Sequence, residues 1–150
     1  MILFMRASAF LALISFFDQT FGGITKDRVI VYGELLCDGQ PFRDATLKLY
    51  DTDPIKDDFL AKTTSSSNGS FYLDGSGRDI LKGKIDPRLY IYHKCNKGFF
   101  GCKRENRFDI PQAYVLKASD PNTKPFYVGR IELMMKPKTE TSKCLPVQKT

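Results

Sequence analysis

A chain of 150 residues, 42% hydrophobic and 27% charged, has room for one domain around one core and not for several. Its 23 Lys and Arg outnumber 17 Asp and Glu, a net +6 that disfavours cationic ligands and favours acidic partners such as anionic lipid, glycosaminoglycan or nucleic acid.

The first element in chain order is apolar. Arg6 precedes Ala9-Phe10-Leu11-Ala12-Leu13-Ile14, extended by Phe16 and Phe17 and broken by Asp18-Gln19-Thr20. The run is long enough for a signal-peptide core and too short to cross a bilayer as a helix. It is apolar on all sides, which argues against an amphipathic buried helix. Thr20 and Gly22 supply small residues for cleavage, so residues 1–22 are read as a leader cut after Gly22. The remainder is expected to be secreted and soluble, with no later stretch approaching a membrane span. An extracellular setting narrows the acidic partners to lipid and glycan and sets nucleic acid aside.

Strand patterning dominates downstream. Arg28 to Leu36 alternates, with Val29, Val31 and Leu35 on one face and Arg28, Tyr32 and Glu34 on the other. Cys37-Asp38-Gly39-Gln40-Pro41 is turn chemistry. Ala45 to Tyr50 places Ala45, Leu47 and Leu49 inward against Thr46, Lys48 and Tyr50. A loop over 51–58 leads to a strand over 59–64. Asn68-Gly69 predicts a hairpin turn into a return strand over 70–73. Further strands are expected over 88–95, 103–110 and 113–117, and over 126–135 with Tyr127, Ile131, Leu133 and Met135 in phase. Seven or eight strands without a long helix read as an all-β sandwich over 23–136. Residues 137–150 read as a polar, Lys-rich tail.

Four cysteines, all beyond the leader, argue for two disulfides among three possible pairings. Cys95 and Cys102 bracket a short glycine-containing loop, which favours Cys95–Cys102 and leaves Cys37–Cys144. No CxxC occurs and only one histidine is present, a poor basis for zinc.

Three segments together carry a family resemblance: Val31-Tyr32-Gly33-Glu34-Leu35-Leu36-Cys37, Ser67-Asn68-Gly69-Ser70-Phe71, and Ile91-Tyr92-His93-Lys94-Cys95 followed by Gly101-Cys102-Lys103-Arg104. The chain resembles the transthyretin-like family of secreted nematode proteins over essentially its whole mature length. The resemblance implies a transthyretin-like, immunoglobulin-like β-sandwich and extracellular binding or bridging work rather than catalysis. A hydrolase of the same fold ends in Tyr-Arg-Gly-Ser and uses several histidines. This chain ends Pro146-Val147-Gln148-Lys149-Thr150 and carries only His93, so that activity is not expected.

His93 shares the phase of Leu89 and Ile91 and is read as a core histidine without a nucleophile beside it. Arg88, Tyr90, Tyr92 and Lys94 alternate on the opposite face, interleaving cations with aromatics. They form either a covered interface or a binding stripe. The segment between Cys95 and Cys102 carries Phe99 and Phe100, with Lys97, Lys103, Arg104 and Arg107 nearby in sequence. Apolar tip and basic rim suit an anionic membrane surface, unless the rings fold back onto the sandwich. Asp51, Asp53, Asp57 and Asp58 could in principle hold calcium, but the EF-hand spacing is absent and Lys56 intervenes. No metal or cofactor is assigned. Asn68-Gly69-Ser70 is a glycosylation sequon. The functional expectation is a secreted binding or adaptor protein for an anionic lipid surface or cell-surface receptor; the alternative is a carrier of a small apolar ligand. Salt sensitivity separates the two.

Overall fold

The computed structural model describes residues 25–97 and 102–144. The expected leader and the Phe99–Phe100 tip therefore lie outside the described residues. Among the described residues, ten strands form two five-stranded sheets: β1 (Asp27–Cys37), β2 (Gln40–Pro41), β3 (Thr46–Asp51), β4 (Asp58–Thr64), β5 (Ser70–Gly77), β6 (Pro87–His93), β7 (Lys103–Asp109), β8 (Leu116–Lys117), β9 (Phe126–Glu132) and β10 (Thr141–Lys143). β1 is the spine of the first sheet, antiparallel to β2, β5 and β8 and parallel to β9. The second sheet is antiparallel throughout, in the order β10-β7-β6-β3-β4. The seven longer strands are those the alternation predicts.

Inward positions of both sheets supply the core. Val29, Val31 and Leu35 of β1 meet Leu47, Leu49, Leu89 and Ile91 of the second sheet in one buried cluster. Burying each such side chain contributes about 1.5–3 kcal/mol, which makes the alternation decisive for register. The turn after Cys37 is a two-residue hairpin with positive φ at Asp38 and Gly39, the geometry that matches strand twist. Glu132 caps it, accepting hydrogen bonds from both backbone amides.

The cysteine pairing differs from the expectation: the bonds are Cys37–Cys95 and Cys102–Cys144, not Cys95–Cys102 and Cys37–Cys144. The ladder between β6 and β7 ends at His93 opposite Arg104. A turn follows, closed by the Lys97 amide on the Lys94 carbonyl with Asn96 at φ 55°, and Cys95 enters the core to meet the end of β1. Cys102 instead faces Cys144 because their neighbours Lys103 and Lys143 are register partners. Residues 141–143 thus extend the second sheet, where the sequence suggested a tail.

Two other expectations change. Asn68-Gly69 makes its turn, with Gly69 at φ 79°, but not a hairpin: β4 pairs with β3 and β5 with β1, so the turn crosses between sheets. The Leu35 amide donates to the Gly69 carbonyl there, docking the turn on β1. The even phase expected from Tyr127 to Met135 is also broken. Pairing of β1 with β9 shifts register between Tyr32 and Glu34, and Gly129 adopts φ 94°. Tyr127 consequently stacks outside on Tyr32, Leu133 is fully buried and Met135 is exposed. The segment 113–117 begins as a 3-10 turn, Gln112–Tyr114, before the two residues of β8.

Candidate binding face

The outer face of the second sheet is ordered in rows fixed by register. One row runs Lys62, Lys48, Tyr90 and Arg107 across β4, β3, β6 and β7. A second runs Thr64, Thr46, Tyr92, Glu105 and Thr141, ending on β10. A third runs Phe59, Tyr50, Arg88 and Asp109. Lys103 faces Lys143 beyond the second row. Two lysine pairs, Lys48 with Lys62 and Lys103 with Lys143, thus stand directly opposite one another on neighbouring strands, an arrangement that costs stability.

Aromatic rings floor this face. Tyr50 meets Phe59 and Tyr90 edge-on, at ring-centre distances of 5.7 and 5.4 Å, and Tyr90 stacks on Tyr92 at 6.4 Å. The cations lie over the rings, Lys48 above Tyr92 and Arg107 above Tyr90, each at 5.6 Å. A shallow groove of about 420 Å³ runs between Tyr50, Tyr90, Tyr92, Arg88, Arg107 and Lys143, with Glu105 and Asp57 also lining it. Its lining is polar and open, unsuited to an apolar cargo.

Glu105 is the electrostatic anchor beneath the cations. Its Oε1 accepts from Arg107 and from the Thr141 hydroxyl, and Lys143 stands 3.7 Å from Oε2. Burial works to raise the Glu105 carboxyl, but these partners override it and hold the group below the ordinary carboxylate range. Burial first, and the adjacent Glu105 carboxylate second, raise the Tyr92 hydroxyl well above its usual value. Burial likewise raises Tyr90, whose hydroxyl donates to Asp57 at 3.1 Å. Both tyrosines are neutral donors at physiological pH.

The residues singled out from sequence divide. Tyr90, Tyr92, Lys103 and Arg107 share this face, Tyr90 and Tyr92 as floor and the two cations above the sheet. Lys97 is exposed in the turn after β6. Arg104 does not belong to a binding surface: alternation on β7 turns it inward, where it is 5% exposed. Its guanidinium donates to Glu140 and to the carbonyls of Cys95, Leu133 and Met135, leaving no donor for a ligand. Phe99 and Phe100 lie outside the described residues. The sequence reading missed Lys62 and Lys143 as members of the face, since only strand pairing brings them to it.

His93 is buried in the core as its phase implied, edge-on to Phe42. Burial and the neighbouring Arg104 push its pKa down to about 4, so the ring is neutral. Asn68 is exposed on the crossing turn, its Oδ1 engaged by Ser66 and Ser70.

Comparison with known proteins agrees with this architecture. The Transthyretin-like family matches residues 32–111, from the middle of β1 to just past the end of β7. Transthyretin-like protein 33 of Caenorhabditis elegans is 38% identical over 117 residues, 77% of this chain and 80% of that protein. Transthyretin-like protein 1 of the same organism is 35% identical over 85% of each chain. A solved 9R-lipoxygenase from Cyanothece aligns with a TM-score of 0.41 and 19% identity over 71% of this chain and 16% of its own, too distant to bear on function. With its two-sheet fold, its two disulfides and these relatives, the chain belongs to the transthyretin-like family.

Proposed function

We propose that the protein is a secreted binding module whose second-sheet face docks on an anionic phospholipid surface. The observation that carries this reading is the pair of like-charge register contacts, Lys48 with Lys62 and Lys103 with Lys143. Each destabilises the free fold, and an anionic surface relieves both. Both sheets carry outward ion pairs, Arg28 with Asp74 and Arg130 with Glu34 on the first, and Arg88 with Asp109 and both Arg107 and Lys143 with Glu105 on the second. The like-charge register pairs, however, belong to the second sheet.

A sheet face suits a planar partner because neighbouring strands repeat every ~4.8 Å, so one row presents its side chains close together. Each basic residue near such a membrane contributes about 1 kcal/mol. Secretion rests on the leader-like segment 1–22 and on two disulfides, which persist outside the cytosol. Binding, not catalysis, is the work proposed.

Sedimentation of the oxidised domain with phosphatidylcholine vesicles, alone or mixed with phosphatidylserine, tests the reading. Retention on the mixed vesicles only, weakening from low to moderate salt, supports it. Equal behaviour on both vesicles, or retention on heparin alone, overturns it.

A further inference from the structure

We propose that Asp51, Asp53 and Asp79 form a calcium site in which the Lys82 ammonium is the resident cation that calcium displaces. The site lies at the end of the sandwich away from the disulfides, where β3 ends and the β5–β6 connection returns. Asp57 and Asp58, close in sequence, are not part of it. Asp57 is committed to the Tyr90 hydroxyl and the Asp53 amide, and Asp58 is an exposed strand residue. Asp79 joins instead, from the connection that follows β5.

Each of the three carboxylates offers an oxygen within 4.8 Å of the other two. That is about the span between ligands on opposite sides of one calcium ion, which binds oxygen at roughly 2.3–2.6 Å. Asp51 is 1% exposed and Asp79 8% exposed. Asp51 Oδ2 is buried without a hydrogen-bond donor, and Asp79 Oδ2 and Asp53 Oδ1, also buried and without a hydrogen bond, have only the Lys82 ammonium near them. The first oxygens are already spent: Asp51 Oδ1 accepts from the Asp86 amide, and Asp79 Oδ1 from the amides of Leu81 and Lys82. Those bonds fix the two buried carboxylates and leave their other oxygens to the cluster. A buried carboxylate oxygen with no donor is costly, and a hard cation is the ligand that removes the cost.

Lys82 satisfies the cluster only in part. Its ammonium bonds the Thr52 carbonyl at 2.5 Å and Asp86 at 2.9 Å, and stands 3.3 Å from Asp53 and 3.8 Å from Asp79. One positive charge faces four carboxylates. Burial, together with the charges of Asp53 and Asp79, correspondingly raises the Asp51 pKa. The Thr52 carbonyl that Lys82 now bonds is a further neutral oxygen at the site once the ammonium is displaced. Partial occupancy by a tethered ammonium sets a weak affinity, in the ~0.1–1 mM range of extracellular calcium modules.

Calorimetric titration of the folded, oxidised protein with calcium chloride tests the site. Wild type is expected to bind one ion with saturable heat, and Lys82→Gln to bind at least about tenfold more tightly because the competing charge is gone. Asp79→Asn keeps the oxygen that caps Leu81 and Lys82 and should lose binding. Asp53→Asn, at a partly exposed position, should do the same without disturbing the core. Absence of saturable heat in both wild type and Lys82→Gln up to about 10 mM calcium overturns the proposal. Unchanged affinity in a folded Asp53→Asn or Asp79→Asn protein overturns it equally.

Discussion

Arg104 and Glu140 are joined by two parallel hydrogen bonds, Nε to Oε1 at 2.9 Å and Nη2 to Oε2 at 2.6 Å, with both side chains almost wholly buried. The pair ties the segment before β10 to the inward side of β7, and its remaining donors hold the chain beyond β9. Arg104→Met strands a buried carboxylate and three carbonyls. It should cost about 3–5 kcal/mol in urea denaturation at pH 7. Arg104→Lys should recover only part of this, because an ammonium cannot reproduce the planar fork.

His93 gives the stability a defined acid dependence. Its folded pKa, about 4, lies below the ordinary histidine value, so the unfolded chain binds the extra proton first as pH falls. Stability from this group is complete above about pH 6.5 and declines between there and pH 4, on the order of 3 kcal/mol in all. Below that window the lowered carboxyls of Glu105 and Glu140 add their own losses. Chemical denaturation between pH 7 and 4.5 should show the slope in wild type and a flattened one in His93→Gln.

Non-reducing peptide mapping should recover Cys37 linked to Cys95 and Cys102 linked to Cys144. With separations of 58 and 42 residues, each bond restricts the unfolded chain by about 4 kcal/mol on the loop-entropy model. Replacing Cys37 and Cys95 by alanine should lower stability by that order, since it also unlinks the two sheets. A Cys95–Cys102 peptide would contradict the fold.

Gly69→Ala should destabilise by about 2 kcal/mol or more in thermal denaturation. Its φ of 79° is left-handed, and a Cβ there would lie 2.4 Å from the Leu35 carbonyl oxygen. Gly39→Ala is the control. It has a similar φ of 71° but open space around it, so its cost should be smaller.

Alternation made most of the sandwich legible in the sequence. Val29, Val31, Leu47, Leu49, Leu89 and Ile91 are inward as their spacing implied. What it could not reveal were relations set by partners distant in the chain. The crossing of the Asn68-Gly69 turn between sheets depends on β1, which no local turn signal encodes. Cysteine pairing depends on where the β6–β7 ladder stops, and Arg104 looked like a surface cation until strand phase turned it inward. Lys143 and Lys62 joined the binding face, and Asp79 the acidic cluster, only through tertiary pairing.

A charge-matched vesicle comparison decides whether the outer face of the second sheet carries binding. Lys48→Glu/Lys62→Glu and Lys103→Glu/Lys143→Glu change net charge as much as Lys26→Glu/Lys124→Glu, but only the first two lie on that face. Each face variant should sediment at least about tenfold more weakly with phosphatidylserine vesicles, given ~1 kcal/mol per basic residue and reversal rather than removal of charge. The off-face control should remain near wild type. Equal weakening of all three would reduce the interaction to net charge and contradict the assignment of this face.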